Sequence, residues 1–273
     1  MNDGIAGSSL SSQMAKYGAI LHPPTYKKYL TWGHPDGSVQ IHTRIPTPRH
    51  REVGKVVATH DSLHSGTVTC AAFSDDGRIL VTGGEDASAA IWHVAKLSKK
   101  DRKVAGGGAV GITTGGSRSL QLKGRLCGHE RAVMCVAICT TNGIVVTGSK
   151  DCSAIIWDLT EVILVRLLEG HESPVHTTSI NRKSGNILTV SLGNIRVWTV
   201  NGLLLASVLM NRVELSLIST ALSTTCEMWQ DGIDVVTGHE DGRVALWRLQ
   251  HQSDEYIQGH NRSESDSSTE DSQ

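Results

Sequence analysis

Aromatic residues are scarce in this chain of 273 residues: they make up 4%, with a single Phe, although hydrophobic residues as a whole reach 39%. A core must therefore be built from aliphatic side chains, and the places where large rings do occur become informative. Six of those rings are Trp. No run of about 20 apolar residues occurs, which excludes a membrane-spanning helix. The N-terminus lacks a charged start followed by an apolar stretch, which argues against secretion. A net charge of −1 offers no basic stripe, so no nucleic-acid partner is expected. Six Cys are present (70, 127, 135, 139, 152 and 226), with no Cys-x-x-Cys among them. Structural zinc normally needs four close Cys or His ligands. Neither a metal site nor a disulfide framework is expected, and a reducing cytoplasm follows as the simplest compartment. No Gly-x-Ser-x-Gly elbow marks a hydrolase nucleophile.

What is there is a repeat. Four segments end in Trp behind a similar phrase: Val81-Thr82-Gly83-Gly84-Glu85-Asp86 to Trp92, Val146-Thr147-Gly148-Ser149-Lys150-Asp151 to Trp157, Leu188-Thr189-Val190 to Trp198, and Val236-Thr237-Gly238-His239-Glu240-Asp241 to Trp247. Asp86, Asp151 and Asp241 each stand 6 residues before their Trp. His64 and His129 each stand 28 residues before Trp92 and Trp157, and His171 stands 27 before Trp198. Val68, Val133 and Val175 each follow their His by 4 residues. Short runs rich in Val, Ile and Thr, punctuated by Gly, Asn and Asp, predict strands and turns. No sustained 3.6-residue period competes with that reading. A fifth unit, Thr31-Trp32-Gly33-His34-Pro35-Asp36-Gly37-Ser38 with Val39-Gln40-Ile41-His42, matches the turn and third strand, with His42 in the Trp slot. Repeats of about 41 residues with these landmarks predict an all-β fold, a β-propeller with at least five four-stranded blades. The expected organisation is an N-terminal segment (1–28), a propeller (29–252) interrupted by an insertion near 97–120, and a tail (253–273).

The Gly128-His129 opening and the pair Trp157-Asp158 resemble WD-repeat propellers. That resemblance implies a hydrogen-bonded structural tetrad in each blade: His64, Thr82, Asp86 and Trp92 in one, and His129, Thr147 (or Ser149), Asp151 and Trp157 in the next. His171 with Trp198, and Asp241 with Trp247, belong to less regular blades. In the former, position 192 is Leu and Asn194 lies in a shorter turn; in the latter no Gly-His stands where one is expected. Cys70 and Cys135 share one slot of two first strands and read as small buried apolar residues.

Three stretches invite a chemical reading. Gly106-x-Gly108-x-x-Gly111 has the spacing of a dinucleotide-binding loop, but that chemistry needs a preceding strand and a following helix whose N-terminus receives the pyrophosphate. Here Lys99-Lys100-Asp101-Arg102-Lys103 precedes it, so an insertion between blades is the better account. Lys99, Lys100, Arg102 and Lys103 form a cationic cluster, read either as a solvated loop or as a patch for an anionic membrane surface or acidic partner. The tail carries Asp254, Glu255, Glu264, Asp266, Glu270 and Asp271 against Arg262. With no apolar residue after Ile257 it is expected to be disordered, and Ser265, Ser267 and Ser268 stand upstream of acids. His60 and His239, outside the tetrads, read as loop or surface residues.

Two longer phrases are more particular. Tyr29 to Val39, and Thr67 to Phe73 with Val81 to Asp86, are similar to the C-terminal propeller of BEACH-domain proteins, the beige/Chediak-Higashi-type scaffolds; Arg131 to Val136, Val236 to Gly242 and Asn201-Gly202 are similar too. The resemblance covers residues 29–249. It implies a non-catalytic interaction scaffold in vesicle trafficking, lysosome biology or autophagy, cytoplasmic and peripheral to endosomal or lysosomal membranes, with protein partners on the propeller faces and no cofactor or small-molecule substrate. Because WD-repeat propellers commonly have seven blades, it also implies a partial seven-bladed propeller, either a C-terminal piece or an incomplete product. A propeller subunit of another assembly, such as a ubiquitin-ligase substrate receptor, is the competing expectation.

Overall fold

The computed structural model describes residues 29–43, 56–60, 63–96, 118–192, 194–209, 223–228, 234–239 and 244–248. These form eighteen strands in five antiparallel sheets. The first sheet holds β1 (Tyr29–Gly33), β2 (Val39–Thr43) and β3 (Val56–His60). The second holds β4 (Val68–Phe73), β5 (Ile79–Gly84), β6 (Ser88–Lys96) and β7 (Arg118–Cys127). The third holds β8 (Val133–Cys139), β9 (Ile144–Ser149), β10 (Ala154–Asp158) and β11 (Leu164–Leu168). The fourth holds β12 (Val175–Ile180), β13 (Ile187–Ser191), β14 (Asn194–Trp198) and β15 (Leu204–Leu209). The last holds β16 (Ser223–Met228), β17 (Asp234–His239) and β18 (Val244–Arg248).

In each sheet the strands lie in chain order, so every sheet is a meander, which is the blade of a propeller. The all-β propeller reading holds. Three of the five sheets show four strands among the described residues, and the first and last show three. The leading strands β4, β8, β12 and β16 neighbour one another in turn, and β1 packs on β4 as β5 does on β8 and β9 on β12. The sheets are therefore stacked side by side in sequence order. Arg118, Ser119 and Leu120, which the sequence assigns to the insertion, pair with Lys96, Ala95 and Val94 in β7. Residues 97–117, 1–28 and the tail lie outside the described residues.

The core lies between blades. Val39, Ile41 and Ala58 of the first sheet meet Leu80, Trp92 and Val94 of the second. Val81, Ile91 and Leu126 of the second meet Val145, Ile155 and Trp157 of the third, and Val146, Ile156 and Leu168 of the third meet Ile187 and Trp198 of the fourth. Successive strand residues point to opposite faces, so Leu80 and Val81, or Ile155 and Ile156, serve two different interfaces. That is why β5, β9 and β10 read as continuous apolar runs: both faces are covered.

A glycine makes each of three junctions close. A Cβ at Gly33 would stand 2.6 Å from Cβ of Val68, one at Gly83 would stand 2.7 Å from Cγ1 of Val133, and one at Gly148 would stand 2.6 Å from Cγ1 of Val175. The Val that follows each His by four thus fills the space left by the Gly of the preceding blade. Cys70 and Cys135 lie in the same contacts, and burial pushes the Cys70 thiol up to about 12 and the Cys135 thiol well up. Both behave as small apolar residues, as their shared slot predicts. Asp75 pairs with Arg182, joining the turn after β4 to the turn after β12 across the third sheet.

Candidate functional site

The polar side chains singled out by spacing converge inside the second and third sheets. In the second, Trp92 Nε1 donates to Thr82 Oγ1 at 3.0 Å, and Thr82 Oγ1 lies 2.9 Å from His64 Nε2. His64 Nδ1 lies 3.0 Å from Asp86 Oδ1. The third repeats this: Trp157 Nε1 to Thr147 Oγ1 at 2.9 Å, Thr147 Oγ1 to His129 Nε2 at 2.7 Å, and His129 Nδ1 to Asp151 Oδ2 at 2.9 Å. Of the two candidates in the third sheet, Thr147 is the residue in contact; Ser149 Oγ donates instead to the carbonyl of Arg131 at 2.9 Å.

Proton positions follow from the donors. An indole N–H only donates, so the Thr oxygen accepts from Trp and gives its own proton to His Nε2. The His proton therefore sits on Nδ1, aimed at the Asp carboxylate. Two serines that spacing did not single out complete the arrangement. Ser88 Oγ donates to Asp86 Oδ1 at 2.8 Å, and Ser153 Oγ donates to Asp151 Oδ1 at 2.6 Å. The recurring Asp-x-Ser of Asp86-Ala87-Ser88 and Asp151-Cys152-Ser153 was the available signal. Arg125 Nη2 adds a contact to Asp86 Oδ2 at 3.0 Å.

Burial works to raise the Asp86 carboxyl, yet hydrogen bonds from His64, Ser88 and Ser65 together hold it below the usual carboxylate range. Asp151 is likewise lowered by Ser153, the Glu130 amide and His129, against the effect of burial. Desolvation lowers His129 despite Asp151 beside it. These constellations contain His, Asp and Ser, but they are not poised as a triad. Each Ser proton goes to the carboxylate, and each imidazole has one nitrogen protonated and the other accepting from Thr. No free base is left to activate a nucleophile.

The fourth sheet keeps His, Thr and Trp of the set and lacks the Asp. Trp198 Nε1 donates to Thr189 Oγ1 at 2.8 Å, and Thr189 Oγ1 lies 2.8 Å from His171 Nε2. Thr189 was not assigned by spacing, because the shorter turn places it nine residues before Trp198 instead of ten. Leu192 stands six residues before Trp198 in place of an Asp, and His171 Nδ1 is buried with no side-chain partner among the described residues. In the first sheet Asp36 caps its own turn, accepting from the Ser38 amide at 2.9 Å. His60, read from sequence as a loop or surface residue, instead ends β3 half-buried, its ring centroid 4.6 Å from that of Trp92. Its apolar neighbour across the blade interface explains the place. His239 ends β17. Trp247 falls in β18, and Asp241 with Lys99, Lys100, Arg102 and Lys103 lies outside the described residues. Among the described residues no group of three His, Cys, Asp or Glu is arranged to hold a metal ion.

The chain has counterparts in known proteins. A family model described as the neurobeachin beta propeller domain matches residues 19–226. The chain belongs to that family. BEACH domain-containing protein A2 and Protein SPIRRIG, both of Arabidopsis thaliana, are each 33% identical to it over 236 residues, 86% of this chain. The human lysosomal-trafficking regulator is 37% identical over 128 residues, 45% of this chain. The chain spans 6% of the length of each Arabidopsis relative. No helix among the described residues is long and apolar enough to cross a membrane.

Proposed function

We propose that this neurobeachin-type propeller is a non-catalytic interaction platform, the propeller part of a BEACH-type scaffold acting in vesicle trafficking, lysosome or autophagy processes. Family membership over residues 19–226 carries the reading. A relative named for lysosomal trafficking supports the choice of process. The polar chemistry inside the blades supports a non-catalytic role, because His64 and Ser88 are buried, Asp86 is half-buried, and the three satisfy one another. Recognition then falls to loops and strand edges on the rim, which carry exposed Ile163, Leu164, Val165, Leu203, Leu204 and Leu205. The basic cluster Lys99, Lys100, Arg102 and Lys103 adds a weak contact with anionic membrane surface, and the workplace is the cytoplasmic side of endosomal or lysosomal membranes.

Two measurements test this. Sequencing the transcript upstream of this chain is expected to reveal a BEACH-coding segment; a different neighbouring domain would remove the scaffold assignment. Proximity labelling from the tagged full-length protein is expected to mark endolysosomal or autophagic membrane proteins. Predominant labelling of ubiquitin-ligase core subunits would favour the substrate-receptor alternative.

A further inference from the structure

The fourth sheet keeps the donors of the polar cluster and lacks its acceptor. In the second sheet, Asp86 accepts from His64 Nδ1 at 3.0 Å, Ser88 Oγ at 2.8 Å, the Ser65 amide at 3.1 Å and Arg125 Nη2 at 3.0 Å. In the third, Asp151 accepts from His129 Nδ1 at 2.9 Å, the Glu130 amide at 3.0 Å and Ser153 Oγ at 2.6 Å. Counting six back from the Trp in the fourth sheet gives Leu192, whose side chain is 48% exposed. Five buried side-chain N or O atoms have no partner among the described residues, and three belong here: His171 Nδ1, Ser191 Oγ and Arg196 Nε.

The orphan His atom is a donor. Trp198 gives its proton to Thr189 and Thr189 gives its own to His171 Nε2, which leaves the imidazole proton on Nδ1 with no side-chain acceptor among the described residues, the Leu168 carbonyl being the one backbone group near the ring that favours its protonated form. Arg196 pairs with Thr189 across the sheet, the register held by Ala90 opposite Thr82 and by Ile155 opposite Thr147. A cation thus stands where the neighbouring sheets place an apolar residue. Its Nη1 donates to the Glu169 carbonyl at 3.1 Å, and a Cβ at Gly170 would lie 2.7 Å from it, so the guanidinium sits against the loop leading to His171. No carboxylate of the described residues pairs with Arg196 or His171. Buried donors left unmade are costly, and a guanidinium beside an imidazole N–H and a hydroxyl is a donor set for a carboxylate.

We propose that the slot bounded by His171, Ser191 and Arg196 receives the carboxylate of an Asp or Glu side chain from an acidic segment of a partner protein. A carboxylate is the fitting ligand because the corresponding slots of the second and third sheets are each filled by one. Access exists: Glu169, Gly170, Glu172 and Leu192 around it are exposed. Burial first and the nearby Arg196 charge second lower His171 to about 4, in keeping with a ring that has no carboxylate beside it among the described residues. The inference names the chemistry of one contact and stands independently of the trafficking role.

The test follows the ring resonances of His171 in the whole 273-residue chain, labelled at histidine nitrogens, near pH 7. The probes are a short Gly/Ser peptide bearing two Glu, the same peptide with Gln, sodium acetate and inorganic phosphate. The Glu peptide is expected to shift His171 saturably and the Gln peptide to leave it unmoved. Arg196→Leu should weaken that response by about tenfold or more, the loss of a charged, hydrogen-bonded partner. Leu192→Asp supplies the carboxylate from within, so it should abolish the response while raising Tm, which shows that a lost signal is not a lost fold. Equal binding of the Gln peptide, or an unaltered response in Leu192→Asp, overturns the proposal. Phosphate binding more than about tenfold tighter than acetate would assign the slot to a phosphoryl group instead and also overturn it. So would a His171 Nδ1–H already bonded in the unmodified chain and released when the tail acids Asp254, Glu255, Glu264, Asp266, Glu270 and Asp271 become amides, since the occupant would then be the chain's own tail.

Discussion

Thr147 carries more than its size suggests, because one hydroxyl satisfies two buried groups, the Trp157 indole and His129 Nε2. Thr147→Val keeps shape and leaves both unpaired, at about 1–3 kcal/mol for each, so urea unfolding is expected to show a loss of several kcal/mol. Trp157→Ala removes packing as well and should cost about 3–5 kcal/mol by the same measurement. The pH dependence has a definite sign. His171 is lowered to about 4 and His129 is lowered too, so the unfolded chain binds protons that the folded chain refuses. Stability should be fully present above the ordinary His value near 6.5 and fall as pH drops from there towards 4. Asp86 and Asp151, both lowered, contribute stability present above the usual carboxylate value and lost below it, extending the decline under pH 4. Tm measured from pH 8 to 3 checks the curve; a maximum near pH 5 would contradict it.

At the scale of the strand, the repeated Gly is a spacing device rather than a turn. Gly148→Ala places a Cβ 2.6 Å from both Cys135 Sγ and Val175 Cγ1, in a core with no slack. Overpacking of this kind typically costs about 1–3 kcal/mol. Adding Val175→Ala should recover part of the loss, and a double-mutant cycle in denaturant reads the coupling directly; strict additivity would mean that the two side chains do not meet. The same logic explains the mistaken surface reading of His60. Its strand, Val56–His60, carries Thr59 and His60 as polar residues, and only the neighbouring blade supplies the Trp92 ring that half-buries it.

For the molecule as a whole, the stacking of blades sets cooperativity. Trp92, Trp157 and Trp198 each pack on the preceding blade, and Asp75–Arg182 ties the second sheet to the fourth. Thermal unfolding followed by Trp fluorescence and by far-ultraviolet circular dichroism should therefore give one coincident transition. Separate transitions would mean that blades unfold one by one, as weakly coupled repeats do. The Asp75–Arg182 pair is itself exposed, so Arg182→Ala should change stability by less than about 1 kcal/mol; interdigitated apolar surface does the joining.

The sequence alone determined five blades, the strand order within them and, but for the choice between Thr147 and Ser149, the His, Thr, Asp and Trp of two polar clusters, because each is a local matter of spacing: these residues recur at fixed offsets whenever the turns between them have fixed length. Where one turn is a residue shorter, the offsets slip, and Thr189 escaped assignment although its hydroxyl stands where Thr82 and Thr147 stand. Ser88 and Ser153 showed only as a repeated Asp-x-Ser, and Arg125 was silent, since an Arg in a strand has many uses and only its neighbours select one. The tertiary structure decided what no offset encodes: that the Gly of one blade receives the Val of the next, and that no carboxylate among the described residues pairs with Arg196 or His171. Those are distances between strands far apart in the chain, fixed only when the sheets stack.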